Sequence, residues 1–168
     1  MATYTLISSI TLSSSAANME FTSIPATFTD LVVSASLKNT GGGADIFRVT
    51  LNNSAADYSF KNVEGSSAAA SGSTFGAGAY AYGGYCNGAS NTASTFSSTD
   101  IYIPNYLSSN KKSFSSSSTL ADVSTQDYSI LIENLWSNTA AITSIKLIAE
   151  TNSFATYSSA YLYGISNA

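Results

Sequence analysis

Apolar residues along this chain recur at every second position in short runs, separated by polar or glycine-rich breaks. From Asp45 to Leu51, Phe47, Val49 and Leu51 fall on one side while Ile46, Arg48 and Thr50 fall on the other. That period of two predicts a strand with one face in a core. Tyr4 to Leu12 alternates more loosely, with Ser8-Ser9 between Leu6 and Ile10, and predicts an edge strand with one wet face. Phe28 to Leu37 contains Leu31-Val32-Val33 and then alternates, which predicts a strand buried on both faces at one end; its partner is expected just beyond Gly41-Gly42-Gly43. Asn52-Asn53 tolerates left-handed backbone and predicts a tight connection into Tyr58 to Val63. Asp100 to Ile103 ends at Pro104, where a proline leaves a ladder intact. Tyr128 to Trp136 and Ile142 to Ile148 predict a central hairpin joined by Ser137-Asn138-Thr139, and Tyr157 to Ile165 closes the chain.

No segment carries the i, i+3, i+4, i+7 stripe of an amphipathic helix. Eight or nine short strands with regular turn signals predict an all-β chain, a single-domain antiparallel β-sandwich over residues 1–168. It is expected to be jelly-roll-like, since the Cys-Trp-Cys signature of an immunoglobulin sandwich is absent. Glu64 to Ser98 departs from the pattern, being rich in Gly, Ala, Ser and Tyr, and reads as a long loop or insertion over 66–98. One reading makes it an adaptable contact loop presenting Tyr80, Tyr82, Tyr85 and Asn87. The other is an ordinary connection with a strand through Phe75 to Tyr85 whose glycines mark bulges.

Composition narrows the chemistry. Of 168 residues, 44% are apolar and only 10% charged, against about 25% charged in an ordinary soluble domain. Six Lys and Arg against ten Asp and Glu leave a net charge of −4, so no basic field exists to attract nucleic acid. The chain has no histidine, which removes the imidazole general base, Ser-His triads and His-ligated metals. Cys86 is the single cysteine, with no second thiol or basic neighbour to activate it, and is expected to be passive. The N-terminus carries no basic leader, and no run of about 18 apolar residues occurs, so a soluble chain without membrane partner is expected.

Candidate catalytic residues are sparse. Lys111 and Lys112 before Ser113 read as a charged turn more readily than as a Ser-Lys dyad. Asp100, Asp122, Asp127 and Glu133 supply carboxylates of the kind that hydrolyse glycosides, yet on so sparsely charged a chain they read as solubility devices and edge guards. No cation cage or phosphate loop is recognisable, so no metal or cofactor is expected. Trp136 reads as a sugar platform, a core plug or an interface residue. The sequon Asn52-Asn53-Ser54 matters only in a secreted eukaryotic protein. What remains is a charge-poor surface rich in hydroxyl and aromatic groups, suited to repeated packing against other proteins.

The run Phe21-Thr22-Ser23-Ile24-Pro25-Ala26-Thr27-Phe28-Thr29-Asp30-Leu31-Val32-Val33, after Tyr4-Thr5-Leu6-Ile7, resembles a family of small virion structural proteins of tailed bacteriophages of aquatic bacteria. Ile101-Tyr102-Ile103-Pro104-Asn105-Tyr106, Lys112-Ser113-Phe114-Ser115, the segment from Leu135 to Ile145 and the closing Tyr157 to Ile165 extend the resemblance in order along nearly the whole chain. It implies a non-enzymatic virion protein without catalytic residues. Its partner is then the phage major capsid protein, for a decoration or cement protein on the capsid exterior, or a tail protein, for a fibre or spike component. A homo-oligomer such as a trimer is expected. The short length and the lack of coiled-coil heptads or a collagen-like shaft favour the capsid. The tail alternative has Tyr and Asn of the loop recognising a host glycan.

Overall fold

The computed structural model describes residues 2–66, 69–121 and 127–166. Among them are twelve strands and no helix. In chain order these are β1 (Thr3–Thr11), β2 (Asn18–Phe21), β3 (Asp30–Leu37), β4 (Asp45–Leu51), β5 (Tyr58–Ser66) and β6 (Ala69–Gly78). They continue with β7 (Ala81–Cys86), β8 (Ser97–Ile103), β9 (Lys112–Leu120), β10 (Tyr128–Trp136), β11 (Ile145–Ala149) and β12 (Ser159–Ser166). An eight-stranded sheet has the order β1-β12-β3-β8-β9-β10-β5-β6, and a four-stranded sheet the order β2-β11-β4-β7; every pairing is antiparallel.

The topology is a jelly roll. With the hairpins β5–β6 and β9–β10 set aside, the remaining eight strands pair in nested fashion, β1 with β12, β2 with β11, β3 with β8 and β4 with β7. The two hairpins join edge to edge and lengthen the large sheet beyond β8. Between the sheets lies one main core, in which Leu31, Val33, Phe47, Val49, Ile101, Trp136, Leu147 and Leu162 are all buried. A smaller cluster of Tyr82, Ile130 and Ile132, with Ile46, Phe60 and Tyr85 packed on it, fills the space under the extension.

Three expected neighbours prove not to be paired. β3 and β4 flank the glycine turn but lie in different sheets, β4 and β5 likewise, and β10 and β11 form no hairpin because residues 137–144 cross from the large sheet to the small one. The common cause is that alternation reports a strand's exposure to a core, and two strands facing each other across a core carry the same alternation as two that are hydrogen-bonded. Asn52 and Asn53 do take left-handed backbone, with φ of 53° and 54°. Their reversal ends against the sandwich, where the Tyr58 hydroxyl accepts the Leu51 N–H at 2.8 Å and donates to its carbonyl at 3.3 Å.

The stretch 66–98 holds two strands, β6 and β7, in place of one long contact loop; the single strand expected through Phe75 to Tyr85 is broken after Gly78 and its two parts lie in different sheets, with register slips at glycines in both ladders. Opposite Phe47 and Arg48 the register slips at Gly83. A Cβ on Gly83 would lie 2.1 Å from the Phe47 ring, and one on Gly84 would lie 2.4 Å from the Ser118 Cβ. The two glycines therefore let β7 press closely against both β4 and β9.

Burial raises the Tyr58 hydroxyl from 10.0 to about 12 and the Cys86 thiol from 9.0 to about 12. Both groups stay protonated in the folded chain at pH values where the unfolded chain ionises them. Their contribution is complete below about pH 9 and is lost as pH rises to about 12. The thermal midpoint should accordingly hold steady up to pH 9 and fall steeply from 9 to 12, with Cys86→Ala removing the earlier part of the fall. A midpoint that stays level to pH 12 contradicts this reading.

Candidate functional site

The structure separates the five residues expected to make contacts. Trp136 is a core plug: it is 1% exposed, stacks on Tyr58 with ring centroids 6.2 Å apart, and its Nε1 finds no acceptor among the described residues. Tyr82 is buried, its backbone N–H and C=O each 3.0 Å from the Asn134 amide, and burial raises its hydroxyl pKa. Asn87 is fully buried, donating to Thr95 Oγ1 at 2.8 Å and accepting from Asn91 at 2.8 Å. None of the three is available as a contact surface. Tyr85 is half-buried, stacked on Tyr128 at 4.5 Å, and donates to Glu64 at 3.2 Å; burial raises its hydroxyl too. Tyr80, also half-buried, lies under the Arg48 guanidinium at 3.9 Å, and that guanidinium pairs with Glu150.

The candidate nucleophiles are likewise structural. Lys112 opens β9 instead of a charged turn; it is buried, with Nζ donating to the Ser108 and Asn110 carbonyls at 2.6 Å each, and burial lowers its pKa. Ser113 is the next residue in the strand and points to the opposite face, so the pair forms no dyad. Cys86 is buried, donates to the Asp45 carbonyl at 3.3 Å and has its thiol pKa raised by burial. Asn52 of the sequon is occupied, accepting from the Thr143 and Ser144 N–H groups and donating to the Ala141 carbonyl. Asp122 lies outside the described residues. Among those described, no group of three or more Cys, Asp or Glu is placed to hold a metal ion.

Two features the sequence reading did not identify stand out once the strands are in place. The first is the sheet edges. β2 is short and carries Glu20, which Lys146 meets at 3.1 Å. β7 is capped by side chains: Asn134 takes both backbone groups of Tyr82, Ser118 those of Tyr85, and Ser116 donates to the Gly83 carbonyl. Among the described residues, the two edges of the large sheet carry neither a charge nor a side-chain cap of this kind, and each has only a single irregularity in its ladder. β1 runs nine residues and β6 ten without a charged residue or a proline, and both are largely exposed. Long, uncharged edges are what monomeric proteins ordinarily avoid, because their unpaired N–H and C=O groups template the addition of another strand.

The second feature is a groove of about 930 Å³ on the outer face of the large sheet. It crosses five strands, from β8 to β6, or about 19 Å at the usual strand spacing. One cross-strand row runs Tyr102, Ser115, Glu133, Lys61 and Thr74, and the next Asp100, Ser117, Leu131, Val63 and Gly72. Ser115 and Ser117 are short, so the floor dips between the taller side chains of β8 and β10. Leu131 and Val63, cross-strand partners, stand 65% and 63% exposed. A second hollow of about 420 Å³ shares Asp100 and Tyr102 and continues over Val32, Tyr163 and Tyr4 to the far edge. Tyr102 is held at the junction by its hydroxyl, which donates to Asp30 at 3.0 Å.

Asp100 and Glu133, the two carboxylates considered for glycoside hydrolysis, both line this groove. They sit two strands and two residues apart, a backbone separation of about 12 Å. Comparison of the chain with protein-family models, with curated proteins and with solved structures finds no match. Among the described residues the groove brings two carboxylates, one lysine and otherwise uncharged side chains together in one elongated depression.

Proposed function

We propose that this chain is a non-enzymatic structural protein of a bacteriophage virion, a decoration or cement protein that binds the outer capsid surface and stabilises the shell. The observation that carries the reading is the pair of long edge strands without a charged residue on one large sheet, β1 and β6, while the edges of the small sheet, β2 and β7, are guarded. A backbone edge offers hydrogen bonds along its whole length, and the scarcity of charge lowers both the repulsion between copies and the desolvation cost of contact. A module that binds the assembled shell more tightly than its separate subunits stabilises the assembly by mass action. The sequence resemblance to small phage virion proteins supports a virion role, and the short chain without coiled-coil heptads or a collagen-like shaft favours the capsid, with the major capsid protein as partner, over the tail.

Copy number tests this reading. Quantitative mass spectrometry of purified virions is expected to count this chain in the hundreds per particle, as binding across a capsid lattice requires. A handful of copies per particle refutes this role, because binding across the capsid lattice occupies many equivalent places.

A further inference from the structure

We propose that the groove across the outer face of the large sheet binds a neutral oligosaccharide chain lying crosswise to the strands. This goes beyond the capsid-binding role and does not depend on it. Shape is the first argument. The groove and the hollow continuous with it run from β6 to β1, so their occupant is a chain and not a compact molecule. Chemistry is the second. A sugar presents apolar C–H faces together with hydroxyls that both donate and accept, and the groove answers each: Tyr102, Leu131 and Val63 offer apolar surface, while Ser115, Ser117, Asp100, Glu133 and Lys61 offer hydrogen bonds. Those five polar side chains make no hydrogen bond or ion pair to other described residues, unlike the inner-face Ser116, Ser118 and Asn134, which are all engaged.

Charge and backbone pairing separate the alternatives. Two carboxylates against one lysine, in a chain of net charge −4, repel a uronate or phosphorylated polymer, so the ligand is uncharged. An extended peptide gains affinity mainly by backbone pairing at a sheet edge. A sheet face has its backbone groups already in the ladder and leaves a peptide's own groups without partners.

Calorimetric titration of the full chain tests this, with linear hexasaccharides of β-1,4-glucan, β-1,3-glucan, β-1,4-mannan and α-1,4-glucan as neutral probes. Hexagalacturonate and a peptide of the sequence Ala69 to Gly78 serve as the anionic and peptide probes. At least one neutral hexasaccharide is expected to bind, and both Tyr102→Ala and Ser117→Phe to weaken it at least about tenfold. Ser117→Phe only fills exposed space, so it keeps the test valid if Tyr102→Ala disturbs folding through Asp30. Tyr157→Ala, on an exposed turn away from the groove, should leave the affinity unchanged. Binding of none of the neutral probes, preference for hexagalacturonate or the peptide, or undiminished affinity in both groove variants overturns the proposal. Virion copy number is indifferent to all of these outcomes.

Discussion

Gly84→Ala is expected to destabilise the chain by about 2–6 kcal/mol, combining about 1–3 kcal/mol of backbone strain with a similar cost of overpacking. Gly84 has φ of 133°, a region that side-chain-bearing residues avoid, and its missing Cβ is the space that Ser118 occupies at 2.4 Å. Neither problem relaxes cheaply. Ser118 is buried and held by Thr99 at 2.9 Å and by both backbone groups of Tyr85 at 3.2 Å, so moving it breaks the capping of β7. Urea denaturation followed by Trp136 fluorescence measures the loss as a shift in midpoint. Gly76→Ala is the control: nothing lies within 4 Å of its added Cβ, and the change should be neutral or slightly stabilising. A Gly84→Ala midpoint equal to that of the wild type would falsify the close packing of β7 on β9.

The jelly-roll sandwich was legible from the sequence because alternation survives in most strands. Phe47, Val49 and Leu51 do point into the core, as do Leu31 and Val33 of β3, and the chain closes on a strand where expected. Two strands escaped outright, and a third because the one strand expected through Phe75 to Tyr85 is two, β6 and β7. β2 is only four residues long, with Met19 and Phe21 as its whole inward signal. β9 is Lys-Ser-Phe-Ser-Ser-Ser-Ser-Thr-Leu, whose inward positions include Lys112, Ser116 and Ser118, so hydropathy sees a polar turn. The even spacing of Phe114 and Leu120 was the available clue. Those buried serines are inside because β7 needs hydroxyls to cap its backbone, a requirement visible only once the strands are packed.

The candidate site was less legible for a related reason. Tyr82, Asn87 and Trp136 looked like contact residues by type, but burial is decided by tertiary position, and all three sit inside. The groove draws on β5, β6, β8, β9 and β10, which are scattered from Lys61 to Glu133 in sequence and become neighbours only through the two inserted hairpins. Asp100 and Glu133 were picked out singly, with nothing in the chain to place them in one depression. Open edges cannot be read from composition either, since a charge-free strand is ordinary until its place at the margin of a sheet is known.

The largest effect on association is expected at β6. Lysines in place of Ala70 and Gly76 put two positive charges on an exposed edge that now has none, as natural edges do to resist pairing. Two-fold pairing of this edge with a second copy would bring like charges together, and a few kcal/mol of repulsion and desolvation lowers the association constant by about 100-fold or more. The fold should be unaffected, because both positions are exposed and Gly76 has open space around it.

Sedimentation of the purified chain against concentration, wild type beside the A70K/G76K double variant, tests the central claim that this protein works by joining its neighbours through open sheet edges. The wild type is predicted to sediment as an oligomer well above the single-chain 17.4 kDa, and the variant at the single-chain mass. A wild type that remains one chain at every concentration, or a variant that assembles just as well, contradicts it.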